Sequence, residues 1–83
     1  MAKEIIIYGT SWCPDTARAR MCFSRNGVPF VWCDIEKDQE GRAFVEQKNG
    51  GKRRVPTILF PDGSVLVEPS NVELEKRFQS SEK

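Results

Sequence analysis

The order of apolar runs along this chain predicts one α/β domain in which a βαβ unit is followed by a helix and then by a ββα unit. Three observations carry that prediction. Two short β-branched runs, at 4–8 and 30–35, flank a stretch of helix formers. Two further runs, at 57–60 and 65–67, meet across an Asp-Gly turn. The whole chain is 83 residues long, which allows one core and not two.

Taken in order, Glu4-Ile5-Ile6-Ile7-Tyr8 is a β-branched run ended by Gly9, the pattern of a central strand buried on both faces. Residues 15–26 are helix formers closed by Gly27 and Pro29, with Ala19, Cys22, Phe23 and Asn26 at helical spacing and Arg18 and Arg25 left outward. Phe30 to Ile35 is again strand-like, and the helix between the two runs makes them parallel through a right-handed crossover. Asp38 can cap a helix over 39–48 that turns Phe44 and Val45 inward and stops at Asn49-Gly50-Gly51. Thr57-Ile58-Leu59-Phe60 and Val65-Leu66-Val67, joined through Asp62-Gly63, read as an antiparallel hairpin. Ser70 or Asn71 opens a last helix to about Phe78, docking through Val72, Leu74 or Glu75, and Phe78. Residues 79–83 are expected to fray from this single domain of residues 1–83.

Thirteen Lys and Arg against twelve Asp and Glu give a net charge of +1, so nothing electrostatic calls for nucleic acid or an anionic membrane as partner. No apolar run approaches the ~20 residues of a membrane span, and no signal-like region precedes the first strand. The expected compartment is the cytoplasm, and the expected state a monomer. Five Phe, two Trp and one Tyr supply a core without metal or disulfide staples. The three cysteines, Cys13, Cys22 and Cys33, are odd in number and not closely paired, which speaks against a secreted disulfide framework. Histidine is absent, which removes the Cys-His nucleophile pair and the mixed zinc sites.

The chemistry lies in Gly9-Thr10-Ser11-Trp12-Cys13-Pro14-Asp15-Thr16, where the first strand gives way to the first helix. A thiolate at Cys13 faces unpaired backbone N–H groups and the positive end of the helix dipole, both of which stabilise negative sulfur. Pro14 suits the first helical position, where its missing N–H costs nothing. Cys22 and Cys33 fall at core spacing and read as small hydrophobes. Lys52-Arg53-Arg54 is a solvated loop in which Arg53 is the candidate for ligand contact, and Asp15 reads as a first-turn helix residue rather than a proton carrier.

In Thr10-Ser11-Trp12-Cys13, Asn49-Gly50-Gly51, Val55-Pro56-Thr57, Asp62-Gly63-Ser64 and Pro69-Ser70, taken with their order and spacing, the chain resembles the glutaredoxin family of the thioredoxin fold over nearly its whole length. Within that family it is most similar to the mycoredoxin-like bacterial branch. The resemblance implies a four-stranded mixed sheet of order 2-1-3-4 with helices on both faces. It also implies a cis Val55-Pro56 peptide beside the nucleophile, its Val55 backbone offered to a bound thiol or peptide as an added strand. Trp12, Pro14, Arg53, Val55, Pro56, Ser70 and Asn71 are implied as contacts to a small thiol, whose carboxylate would suit the last helix's amino end.

Where dithiol members of the family carry a second cysteine, this chain has Thr16. The implied activity is therefore single-thiol reduction of mixed disulfides between proteins and a low-molecular-weight thiol such as glutathione or mycothiol. That thiol is a co-substrate, no cofactor or metal is bound, and the protein partners are S-thiolated or disulfide-bonded. Thr16 is expected to donate a hydrogen bond to the Cys13 thiolate. Two further departures are Thr10-Ser11 where many members have a Lys, and Glu68-Pro69 where many have a Gly pair. A non-catalytic binding module is the alternative reading, and an iron-sulfur carrier ranks behind it because Pro14-Asp15 stiffens the site and adds a carboxylate.

Overall fold

A computed structural model describes residues 4–81. Its elements follow the chain as β1 (Ile6–Gly9), α1 (Pro14–Arg25), β2 (Val31–Asp34), α2 (Gln39–Lys48), β3 (Thr57–Leu59), β4 (Val65–Val67) and α3 (Asn71–Ser81). The sheet order is β2-β1-β3-β4. β1 runs parallel to β2, with Ile6 opposite Val31 and Gly9 opposite Asp34. It runs antiparallel to β3, with Tyr8 opposite Thr57, and β3 and β4 form the antiparallel hairpin.

Alternation along β1 sends its side chains to two different cores. Ile7 joins Ala19, Cys22, Phe23, Ile58, Phe60, Leu74 and Phe78 on the face covered by α1 and α3. There Phe23 stands edge-on to Phe78 at 4.8 Å and to Phe30 at 5.5 Å between ring centroids. Tyr8 joins Ile35 and Val45 on the face covered by α2, with Ile6, Cys33, Phe44, Val55 and Leu59 around them. Tyr8 stacks on Phe44 at 4.8 Å. A strand buried on both sides is what the unbroken Ile-Ile-Ile-Tyr run requires.

The helix ends are capped locally. Asp38 Oδ1 accepts from the Gly41 N–H at 3.0 Å, and Gly50 and Gly51 leave α2 with φ of +65° and +91°, which L side chains rarely adopt. Ser70 and Glu73 form a reciprocal box at the start of α3, Ser70 N–H donating to Glu73 Oε1 at 2.8 Å and Glu73 N–H donating to Ser70 Oγ at 3.2 Å. In the β3–β4 turn the Asp62 carboxylate takes the Ser64 N–H, the Ser64 hydroxyl and the Arg77 guanidinium. These donors hold its carboxyl down at about 2.

Several expectations are corrected. Asn26 is exposed, not core: it is the C-cap of α1, and its amide donates to the Cys22 carbonyl at 2.8 Å. Val72 is 61% exposed, and α3 docks through Leu74 and Phe78. α3 continues to Ser81, beyond the end expected near Phe78, and of the tail expected to fray only residues 82–83 lie outside the described residues. Cys33 is half-buried, not enclosed. Arg18 does not point outward but reaches across to the start of α3.

Candidate active site

Cys13 is the N-cap of α1, with extended backbone (φ −83°, ψ 120°) and Pro14 as the first helical residue. Its carbonyl accepts the first helical bond, from Ala17 N–H at 3.1 Å, and its own N–H donates to the Thr10 carbonyl at 3.4 Å. The sulfur makes no capping bond, so no side-chain oxygen at the cap position takes up the first-turn N–H groups. Cys13 is half-buried. Asp15, the acidic group of that first turn, is turned toward Arg18 at 3.6 Å.

Thr16 lies completely buried beneath this turn, against Gly9 at the end of β1. A Cβ on Gly9 would stand 2.6 Å from Thr16 Oγ1. Among the described residues the Thr16 hydroxyl has no hydrogen-bond partner, and neither has that of buried Thr10. The expected Thr16 bond to the Cys13 sulfur is therefore not formed, because the close fit against Gly9 sets the side chain's position.

Trp12 is 69% exposed, and its indole N–H donates to Glu36 Oε2 at 3.0 Å. Pro14 is exposed. Val55-Pro56 is a cis peptide; Pro56 is buried, and its carbonyl accepts from Glu68 N–H at 2.8 Å. Ser70 spends its hydroxyl on the α3 cap. Asn71 Oδ1 accepts from Arg18 Nη1 at 2.8 Å, and among the described residues its amide NH₂ donates to no partner. Arg53 is drawn away: its Nε donates to Glu46 Oε2 at 2.7 Å, tying it to α2. Arg54 faces Glu68 at 3.8 Å, and Glu68 holds a left-handed φ of +51° just before Pro69.

Two residues enter this site that the sequence reading did not place there. Arg18 clasps α1 to the entry of α3 through Asn71 Oδ1 and the Pro69 carbonyl, the latter at 3.1 Å. Glu36 holds the Trp12 indole. The only signal for Arg18 was an acidic residue three positions earlier. For Glu36, twenty-four residues from its partner, there was none.

Cys22 and Cys33 both hold their protons more tightly than an ordinary thiol. Burial, then the charge of Glu75, pushes Cys22 up. Cys33 is pushed up to about 11 by burial, by its hydrogen bond to Asp38, and by the charges of Asp38 and Asp34. Its sulfur donates to Asp38 Oδ2 at 3.5 Å. The same carboxyl is lowered by the Gly41 N–H first and by Cys33 second. Among the described residues no group of three His, Cys, Asp or Glu side chains is arranged to hold a metal ion.

A family model described as glutaredoxin matches residues 5–65. A Mycobacterium tuberculosis protein assigned to the glutaredoxins is 38% identical over 77 residues, covering 93% of this chain and 92% of its own length. Mycoredoxin 1 of Corynebacterium glutamicum is 28% identical over 78 residues, with 94% and 96% covered. The crystal structure of a thioredoxin-like protein superposes with a TM-score of 0.81 at 22% identity, covering 94% of this chain and 97% of that one.

Proposed function

The chain belongs to the glutaredoxin family, whose members are thiol-disulfide oxidoreductases using glutathione-like thiols as co-substrates, and within it we propose a single-thiol enzyme that works through Cys13. One observation carries the reading. Of three thiols, Cys13 alone caps a helix with no carboxylate on its sulfur, while Cys22 is enclosed in the core and Cys33 is bonded to Asp38. No resolving thiol is offered, and the position of the second active-site cysteine is taken by fully buried Thr16.

The Cys13 thiolate attacks the small-thiol sulfur of a protein mixed disulfide. A new disulfide forms between Cys13 and the small thiol, and the protein sulfur leaves as thiolate and takes a proton from solvent. A second small-thiol molecule, as thiolate, attacks the small-thiol sulfur held on Cys13. It departs as the symmetric disulfide, and Cys13 is restored. Trp12, the Val55 backbone and the Asn71 amide are the proposed contacts to the small thiol, with Pro14 and Pro56 shaping the walls and Ser70 holding the α3 entry.

Three arginines near these segments each face a carboxylate: Arg18 with Asp15, Arg53 with Glu46, Arg54 with Glu68. A thiol with few carboxylates, such as mycothiol, suits that balance better than glutathione, and the likeness to mycoredoxin 1 points the same way. With this reading go a cytoplasmic, monomeric protein and S-thiolated proteins as clients. The test is a coupled assay on a peptide carrying each small thiol as a mixed disulfide. Turnover by wild type and a loss of at least about 100-fold in Cys13→Ser are expected. Equal rates in the two proteins would remove the proposal. A silent wild type that still binds a partner would favour the binding module.

A further inference from the structure

Trp12 poses a physical problem. The side chain beside the nucleophile is 69% exposed, belongs to neither apolar cluster, and stacks on no other ring among the described residues. An exposed indole without packing samples several rotamers on the ps–ns scale and makes a poor wall for a ligand. What fixes it is a single bond, from its Nε1–H to Glu36 Oε2.

Glu36 is well placed to act as a fixed point. It stands in the turn between β2 and α2, and that turn is tied down on every side. The Glu36 N–H donates to Asp34 Oδ1 at 3.0 Å. The N–H groups of Lys37 and Asp38 both donate to the Asp34 carbonyl, at 3.0 and 2.9 Å. The preceding Ile35 N–H donates to the Gly9 carbonyl at 2.9 Å, and the Ile35 carbonyl accepts from Arg42 Nη1 at 3.1 Å. Gly9 is the end of the strand that leads into the Cys13 turn, so the turn bearing Glu36 and the loop bearing Trp12 are anchored to the same point of β1. With the backbone at Glu36 held this firmly, only the rotamers of its own side chain remain to be ordered when it orients its donor. The bond is also charge-assisted, with an ionised acceptor on an N–H donor.

We propose that Glu36 is the positioning residue of this site: through the indole N–H it holds the Trp12 ring as a pre-set wall beside the Cys13 sulfur, against which the non-sulfur part of the small thiol is placed. The proposal rests on the single-thiol reading above and assigns Glu36 no contact with the reacting atoms. Its effect therefore falls on recognition of the mixed disulfide, not on the exchange step.

The experiment has two arms, on Glu36→Ala, Glu36→Gln and Trp12→Phe. In the mixed-disulfide assay Glu36→Ala is expected to raise KM about 3- to 10-fold, the worth of one exposed charge-assisted hydrogen bond, with kcat within about 2-fold. Glu36→Gln keeps an acceptor oxygen and should recover most of that loss. Trp12→Phe, which keeps a ring but lacks the N–H, should match Glu36→Ala, and the double variant Glu36→Ala/Trp12→Phe should lose no more than either alone. The second arm needs no turnover. In a Trp32→Phe background Trp12 is the sole tryptophan of the two in the chain, and its fluorescence anisotropy should fall in Glu36→Ala and return in Glu36→Gln. An unchanged KM in Glu36→Ala, or losses that add in the double variant, overturns the positioning role. Equal anisotropy in wild type and Glu36→Ala overturns the latch itself. A wild type with no turnover at all overturns the single-thiol reading and the role in recognition with it, and the anisotropy arm then reports separately whether the latch exists.

Discussion

Two sulfurs of this chain lie at the amino ends of helices, and they are set up in opposite ways. At α1 the N-cap is Cys13 itself, with extended backbone, no side-chain capping bond, and the acidic residue of the first turn, Asp15, paired off with Arg18. At α2 the N-cap is Asp38, which spends one carboxylate oxygen on the Gly41 N–H and offers the other to Cys33. Accessibility does not separate them: both are half-buried, and Cys33 opens on a surface cavity of about 740 Å³ that Tyr8, Asp38 and Gly41 also line. What separates them is the occupant of the cap position. A sulfur that replaces the cap meets the helix dipole directly, whereas a sulfur behind a carboxylate cap meets the carboxylate first and becomes its hydrogen-bond donor.

The sharpest way to break that contrast is selective alkylation. With iodoacetamide near pH 7.5, peptide mapping should find the label on Cys13, with Cys33 reacting about 100-fold more slowly than a thiol of ordinary acidity. That factor is the thiolate population left by a rise from 9.0 to about 11. Comparable labelling of Cys13 and Cys33 would show that the two helix ends are not different after all. A smaller change is expected in Asp38→Asn, which keeps a capping oxygen for the Gly41 N–H while removing the charge beside Cys33. Cys33 should label about 10-fold faster, with little loss of stability because Asn caps nearly as well as Asp. If Cys33 stays inert in that variant, burial alone protects it.

The smallest effect is on stability at alkaline pH. The folded state holds the Cys33 proton more tightly than the unfolded chain, whose thiol titrates near 9.0. Below that pH both states are protonated and stability is unaffected. Between 9.0 and about 11 the unfolded chain releases the proton first, so stability falls, by about 1 kcal/mol once solvent screening of a half-exposed group is allowed for. The Tyr8 phenol, raised by burial and by the charges of Cys33 and Asp38, extends the loss to higher pH. Denaturant melts from pH 8 to 11 should show this slope in wild type and a shallower one in Cys33→Ala; identical slopes would place the alkaline loss elsewhere.

The element order, the parallel β1–β2 and antiparallel β3–β4 pairings and the Asp38 cap were legible in the residues themselves, and the β2-β1-β3-β4 order and the cis Val55-Pro56 peptide through family resemblance. Local chemistry is why. A β-branched run ended by Gly9, an Asp one residue ahead of a helix, and an Asp-Gly between two apolar runs each state their own conformation within a few residues. The strand-to-helix junction that carries Cys13 belongs to the same class, because a thiol at a helix start needs only its immediate neighbours to be recognised.

What tertiary structure decided is every contact made between segments distant in sequence. Arg18 looked like a solvent-facing helix residue until α3 arrived to offer Asn71 and Pro69. Arg53 looked free for a ligand until α2 presented Glu46. Glu36 and Trp12 meet only because β1 and β2 end side by side. Thr16 was expected to reach the sulfur, yet the closeness of Gly9 buried its hydroxyl without a partner. The sequence by itself determined that this chain sets Cys13 at the amino end of a helix that follows the first strand, since propensity, capping and spacing act over a few residues. Only the packed structure decided what surrounds that sulfur, because long polar side chains choose among partners that chain folding brings within about 3 Å.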